Sequence, residues 1–242
     1  VSLLVLFDVD GTLIDSAGAG REAIEGALHD VYGTAGPIDE LPFDGLTDPS
    51  IARTLLRAGG IADARIEAGL DALWATYLAR LADSLGARAG RVRALDGVSA
   101  LLDALAGAGA VVGLVTGNIE PGAARKLDAC GLGGRFSFGA FGSDAEDRDA
   151  LPAIALERAT ASTGCPFAPD RVWIVGDTPR DVRCARAGGV RALAVASGRY
   201  SVAQLAACAP DHVTGSLADT EWVLERLTGR AGAPQSRHSG RA

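Results

Sequence analysis

Residues 3–7 of this chain, Leu3, Leu4, Val5, Leu6 and Phe7, are uninterruptedly apolar, and two carboxylates one residue apart, Asp8 and Asp10, follow at once. A short apolar run of this kind reads as a strand buried on both faces, the setting of a parallel sheet covered by helices. The chain must turn sharply after Phe7 before Asp8 and Asp10 can serve one site, and Gly11 permits the turn. Two acids placed there can share one metal ion and one phosphate group.

Further apolar runs at 111–115, 136–141, 172–175 and 192–195 alternate with helical patterns, which predicts an α/β fold with a parallel sheet. Three of the five runs end on polar clusters: Asp8-Val9-Asp10, Thr116-Gly117-Asn118 and Gly176-Asp177-Thr178. Ligands of open α/β sheets lie beyond the carboxyl ends of the strands, so these clusters are expected to converge. Residues 16–91 contain no convincing strand. Ile51, Leu55 and Leu56, then Leu70, Leu73, Tyr77, Leu78 and Leu81, recur at helical spacing and predict a bundle of helices capping the strand ends. The expected organisation is a core of residues 1–15 and 92–228, a helical cap at 16–91, and an aperiodic, frayed tail at 229–242.

Charge and composition narrow the function. A net charge of −7 argues against nucleic acid as a partner, because phosphate backbones select basic surfaces. No apolar run approaches the roughly 20 residues of a membrane helix, and the first apolar run lacks a basic leader, so a cytoplasmic protein without membrane contact is expected. Cys130, Cys165, Cys184 and Cys208 have no paired spacing and read as reduced thiols. His29, His212 and His238 lie outside every acidic motif, which argues against histidine-based catalysis. Lys126, the only lysine among 23 basic residues, falls in the helix after Asn118 and reads as exposed.

Phosphate monoester hydrolysis needs an in-line nucleophile, charge neutralisation and a proton donor for the leaving oxygen. Asp8 can attack phosphorus and form an aspartyl phosphate. Asp10 can protonate the leaving alkoxide and then deprotonate the attacking water. Two carboxylates and a phosphate repel one another, so a divalent cation is required, and magnesium suits an all-oxygen set. Asp177 supplies a further ligand at a strand end, and Asp181, four residues on, is placed to hold a metal-bound water. Thr116 offers a hydroxyl, and the backbone amides near Gly117 and Asn118 offer donors, to phosphoryl oxygens.

On Asp8-Val9-Asp10-Gly11-Thr12-Leu13, Val115-Thr116-Gly117-Asn118 and Val175-Gly176-Asp177-Thr178-Pro179-Arg180-Asp181, the chain resembles the haloacid dehalogenase-like superfamily of hydrolases, in its phosphoglycolate phosphatase-like branch. The resemblance implies a Rossmann-like core, a helical cap after the first strand, Mg2+ held by Asp8, the Asp10 carbonyl and Asp177, an acid/base at Asp10, and phosphate binding at Thr116. It also implies a lysine before the helix that leads to the fourth strand. The matching stretch here reads Glu146-Asp147-Arg148-Asp149-Ala150-Leu151-Pro152, and Arg148 is the candidate replacement, with a permanent charge and a bidentate fork for phosphate.

The expected activity is therefore Mg-dependent hydrolysis of a small, phosphoglycolate-like phosphomonoester. The alternative is a sugar-phosphate mutase of the same fold, and further off a receiver-like or non-catalytic phosphate-binding protein. Asp10 argues against the dehalogenases of this family, and the lack of a cap lysine argues against its phosphonate-cleaving members. In the cap, Thr47, Asp48 and Arg53 are the candidate substrate contacts, with Arg53 able to meet a carboxylate. Asp48-Pro49 also suits a helix start, with Asp48 as N-cap and Pro49 at the first helical position.

Overall fold

The first apolar run forms the central strand of the molecule. In the computed structural model, which describes residues 2–229, β1 (Leu4–Phe7) pairs in parallel with β4 (Val111–Val115) on one side and β6 (Val172–Gly176) on the other. β5 (Gly139–Ala140) extends the sheet beyond β4, and β7 (Arg191–Val195) and β8 (His212–Thr214) extend it beyond β6, giving the order β5-β4-β1-β6-β7-β8. All five pairings are parallel. Phe7 stands level with Leu114 and Val175, so the residues that follow these three strands emerge side by side.

Both faces of β1 are buried, as an unbroken apolar run requires. Val5 and Phe7 join a cluster with α4 (Val98–Gly107), α5 (Glu120–Ala129) and α9 (Thr220–Thr228). Leu4 and Leu6 join another with α6 (Leu151–Thr163), α7 (Pro179–Ala187) and α8 (Val202–Ala206).

Between β1 and β4 the chain forms α1 (Ala19–Tyr32), α2 (Asp48–Ala58) and α3 (Asp63–Ala87). They enclose a separate apolar cluster that includes Leu28, Leu55, Leu56, Leu73 and Tyr77. The chain enters and leaves this bundle through one short antiparallel pair, β2 (Ile14–Asp15) with β3 (Arg93–Ala94).

Three local expectations change, while the cysteine reading stands. The strand expected at 136–141 is reduced to Gly139–Ala140, because Arg135 to Phe138 run irregularly before reaching β4. The strand β8 and the pair β2–β3 were not expected, being too short to carry a period. The N-cap of α2 is Thr47 rather than Asp48: its hydroxyl accepts from Ser50 N, leaving Pro49 at the second helical position. The four cysteines are all free thiols. Of the tail expected at 229–242, residues 230–242, with His238, lie outside the described residues.

Leu56 is fully buried among the three inserted helices, so Leu56→Ala should cost about 2–5 kcal/mol of stability. Val202, 43 % exposed, should cost no more than about 0.5 kcal/mol on the same change. Urea unfolding of the two variants checks the contrast.

Candidate active site

The turn after β1 brings the two acids to one cavity. Asp8 N still bonds to Val175 O at 2.9 Å, extending the strand pairing by one residue. Gly11 then takes a φ of 79°, and a Cβ there would come within 2.5 Å of the Asp177 carboxylate, so the position excludes any side chain. Asp8, Asp10, Thr116, Gly117, Asn118, Arg148 and Asp177 all line one cavity of about 270 Å³. The three polar strand ends therefore converge as the topology requires.

Arg148 lies in this site and not on the surface. Its side chain is 4 % exposed, and its Nη2 stands 2.9 Å from Asp8 Oδ1 and 2.5 Å from Asp181 Oδ1. It comes from a short 3-10 turn, residues Arg148–Ala150, directly before α6. Asp181 is occupied at its other oxygen too: Oδ2 accepts from Thr178 N at 2.9 Å and from Thr178 Oγ1 at 2.7 Å in a reciprocal cap of α7. Asp181 thus orients Arg148 and the Thr178 turn.

Asp8, Asp177 and Asp181 bring carboxylate oxygens within 4.8 Å of one another, all buried. Burial raises the Asp8 carboxyl to about 6, with Arg148 working against it and Asp181 adding to it. Burial, then Asp181 and Asp8, raise Asp177 to about 8, although Thr12 donates to it at 3.2 Å. Oxygen-only donors whose negative charge is this poorly compensated fit a hard divalent cation such as Mg2+. Asp8 and Asp177 have the oxygens to hold one, whereas both Asp181 oxygens are engaged elsewhere.

Asp10 faces the other way, toward the inserted helices. Its Oδ1 accepts from Ser16 Oγ at 2.8 Å, and its Oδ2 from Asn118 Nδ2 at 2.8 Å and Lys126 Nζ at 2.7 Å. Burial alone would push its carboxyl up, but Lys126, Asn118 and Ser16 together hold it below the usual range. Lys126 is not exposed, which corrects the sequence reading: its side chain is 5 % exposed and Nζ also donates to Asn118 Oδ1 at 2.5 Å. A signal was available, since Ala123, Lys126 and Leu127 share one helical face and both apolar neighbours are buried.

The cap candidates divide. Asp48 lines the cavity, accepts from Ile119 N at 2.9 Å, donates its own N–H to Gly117 O at 2.7 Å, and is raised to about 6, mainly by burial. Thr47 is buried and structural: besides capping α2, its hydroxyl donates to Glu146 O at 2.8 Å. Arg53 does not reach the cavity. It pairs with Glu67 and Glu146 and lines a separate pocket with Trp74 and Leu78. Phe43, which opens the loop that carries Thr47 and Asp48, also lines the main cavity, as do Arg21, Tyr77 and Arg199, which no motif marked.

A carboxyl whose pKa is higher in the folded chain binds its proton more tightly there, so its stabilising contribution is complete below the unfolded value and is lost as pH rises. For Asp177 that loss spans 3.8 to about 8. Without divalent cation, Asp177→Asn should therefore gain stability relative to the unsubstituted protein on going from about pH 5 to about pH 8. Mg2+ should reverse the ranking at the higher pH. Thermal unfolding in chelator and in Mg2+ reads both effects.

The haloacid dehalogenase-like hydrolase family model matches residues 5–186. The phosphoglycolate phosphatase of Synechococcus elongatus is 30 % identical over 91 % of this chain and 92 % of its own length. That of Rhodospirillum rubrum is 31 % identical, over 89 % of each. A hydrolase from Pseudomonas syringae has the same fold, with a TM-score of 0.70 at 21 % identity, over 94 % of this chain and 99 % of that one. With its strand-end acids, its inserted helices and these similarities in agreement, the chain belongs to the haloacid dehalogenase-like hydrolases, in their phosphoglycolate phosphatase-like branch.

Proposed function

We propose that this protein is a cytoplasmic, Mg-dependent phosphatase of a small, phosphoglycolate-like phosphomonoester, working through an aspartyl phosphate on Asp8. The observation that carries the reading is the Asp8 carboxylate, buried at the end of the central strand and paired with the Arg148 guanidinium in a cavity of about 270 Å³. A cavity of that size suits a small ester. Residues 1–15 and 92–228 act as the catalytic core and 16–91 as the cap that closes over it.

Asp8 attacks phosphorus, and Arg148 stays beside it to neutralise charge on the phosphoryl oxygens. The Thr116 hydroxyl and the backbone amides at Gly117 and Asn118 receive the remaining oxygens. Asp10, held ionised in the free site by Lys126, Asn118 and Ser16, takes up a proton as the substrate enters, passes it to the leaving oxygen and later takes one from the attacking water. Asp48 meets the leaving group from the cap side. The cavity lining carries five carboxylates against four cationic side chains, so it favours a cation before it accepts a phosphate dianion. The Asp8 and Asp177 side chains, with the Asp10 carbonyl, would hold Mg2+, which would supply that neutralisation when bound.

Phosphate release from a panel of small phosphomonoesters, with and without Mg2+, tests the reading. Asp8→Asn should lose at least about 10⁴-fold in kcat, and turnover near the normal rate would overturn the assignment of the nucleophile. Arg148→Ala should raise KM and lower kcat together, and unchanged constants would remove Arg148 from the reaction. Transfer of the phosphoryl group within a sugar phosphate, without release, would identify a mutase instead.

A further inference from the structure

Lys126 is a donor-only group fixed at the junction of the core and the inserted helices. Its Nζ bonds to Asp10 Oδ2 and to Asn118 Oδ1. With Oδ1 taken by an ammonium, the Asn118 amide has one orientation left, in which Nδ2 donates to Asp10 Oδ2 at 2.8 Å and to Thr116 Oγ1 at 2.9 Å. One ammonium therefore sets the Asp10 carboxylate twice, directly and through Asn118, and sets the Thr116 hydroxyl as well. The slot is closed from above by α1, where a Cβ on Gly20 would lie 3.0 Å from Nζ. It lies close to Tyr77 of α3, whose hydroxyl would be 3.9 Å from the same Cβ. Such a seat leaves the ammonium little room to move.

We infer that Lys126 is a positioning residue for the acid/base carboxylate Asp10, acting by direct contact and by fixing the Asn118 amide. The inference rests on the proposed phosphatase reaction, in which Asp10 handles the proton of the leaving oxygen. Its role differs from that of Arg148, whose guanidinium pairs with Asp8 and Asp181 instead. A carboxylate that is merely held in a folded site should matter equally for all substrates. One that is aimed to protonate a leaving group should matter most where the leaving group cannot depart without a proton.

The test compares kcat/KM for phosphoglycolate, which leaves as an alkoxide, with that for p-nitrophenyl phosphate, which leaves as a stable phenolate. Lys126→Met should lower the first by about 100-fold and the second by less than about threefold. Asp10→Asn should show the same selectivity, and adding Lys126→Met to it should cause no further loss. If Lys126→Met does not fold, Lys126→Gln, which keeps a hydrogen-bonding end in the slot, carries the comparison. Equal losses on both esters, or losses that multiply in the double variant, would overturn the positioning role alone. An unsubstituted protein that hydrolyses neither ester would overturn the phosphatase reading and this inference with it.

Discussion

Everything at this site depends on keeping the Asp8 carboxylate charged where the sheet leaves almost no water. An isolated ion in such surroundings would take up a proton, because desolvation outweighs any gain from burial. The Arg148 guanidinium between Asp8 and Asp181 opposes that tendency. The opposition is incomplete, since burial, Asp181 and Asp10 all push the Asp8 carboxyl upward. The core sets Arg148 on Asp8 and Lys126 on Asp10, and among the described residues no cation pairs with Asp177. On the proposed reading, cation binding and catalytic readiness would be linked through charge.

The two aspartates of the first motif live in different electrostatic surroundings although one residue separates them. Asp8 is raised by burial, whereas Asp10 is held down by three donors. In the cation-free site Asp8 therefore holds a proton more readily than Asp10, and positive charge bound beside Asp8 and Asp177 would lower Asp8 again. The separation comes from the chain's path: the turn at Gly11 leaves Asp8 on the sheet and sends Asp10 toward helices laid down by the insertion.

Much of this was legible in the sequence where side chains repeat or cluster within a few residues. The runs at 3–7, 111–115 and 172–175 declare buried parallel strands, and their polar ends converge because parallel strands in register end together. Arg148, singled out because the resemblance implies a cation before the helix that follows, does pair with Asp8. Lys126 was misread because its partners, Asp10 and Asn118, come from other elements, and a long cationic side chain on a helix is ordinarily solvated. Arg53 was misread for the converse reason: two glutamates from separate segments, Glu67 and Glu146, claim it first. Spacing within an element carries helical and strand faces, but not which distant side chain will occupy a charge.

The pair β2–β3 has a consequence for how such a protein can change over time. Its two segments stand one strand spacing apart, about 4.8 Å, so the whole helical insertion leaves and rejoins the core at one doorway. The strand pairing ends at that doorway, and nothing in the sheet register counts how many residues lie beyond it. Lengthening or shortening the insertion away from the Thr47 and Asp48 contacts to the core alters mainly a loop-closure term that grows slowly with length. A lineage can therefore remodel what covers the cavity while the strands that carry Asp8, Thr116 and Asp177 remain untouched.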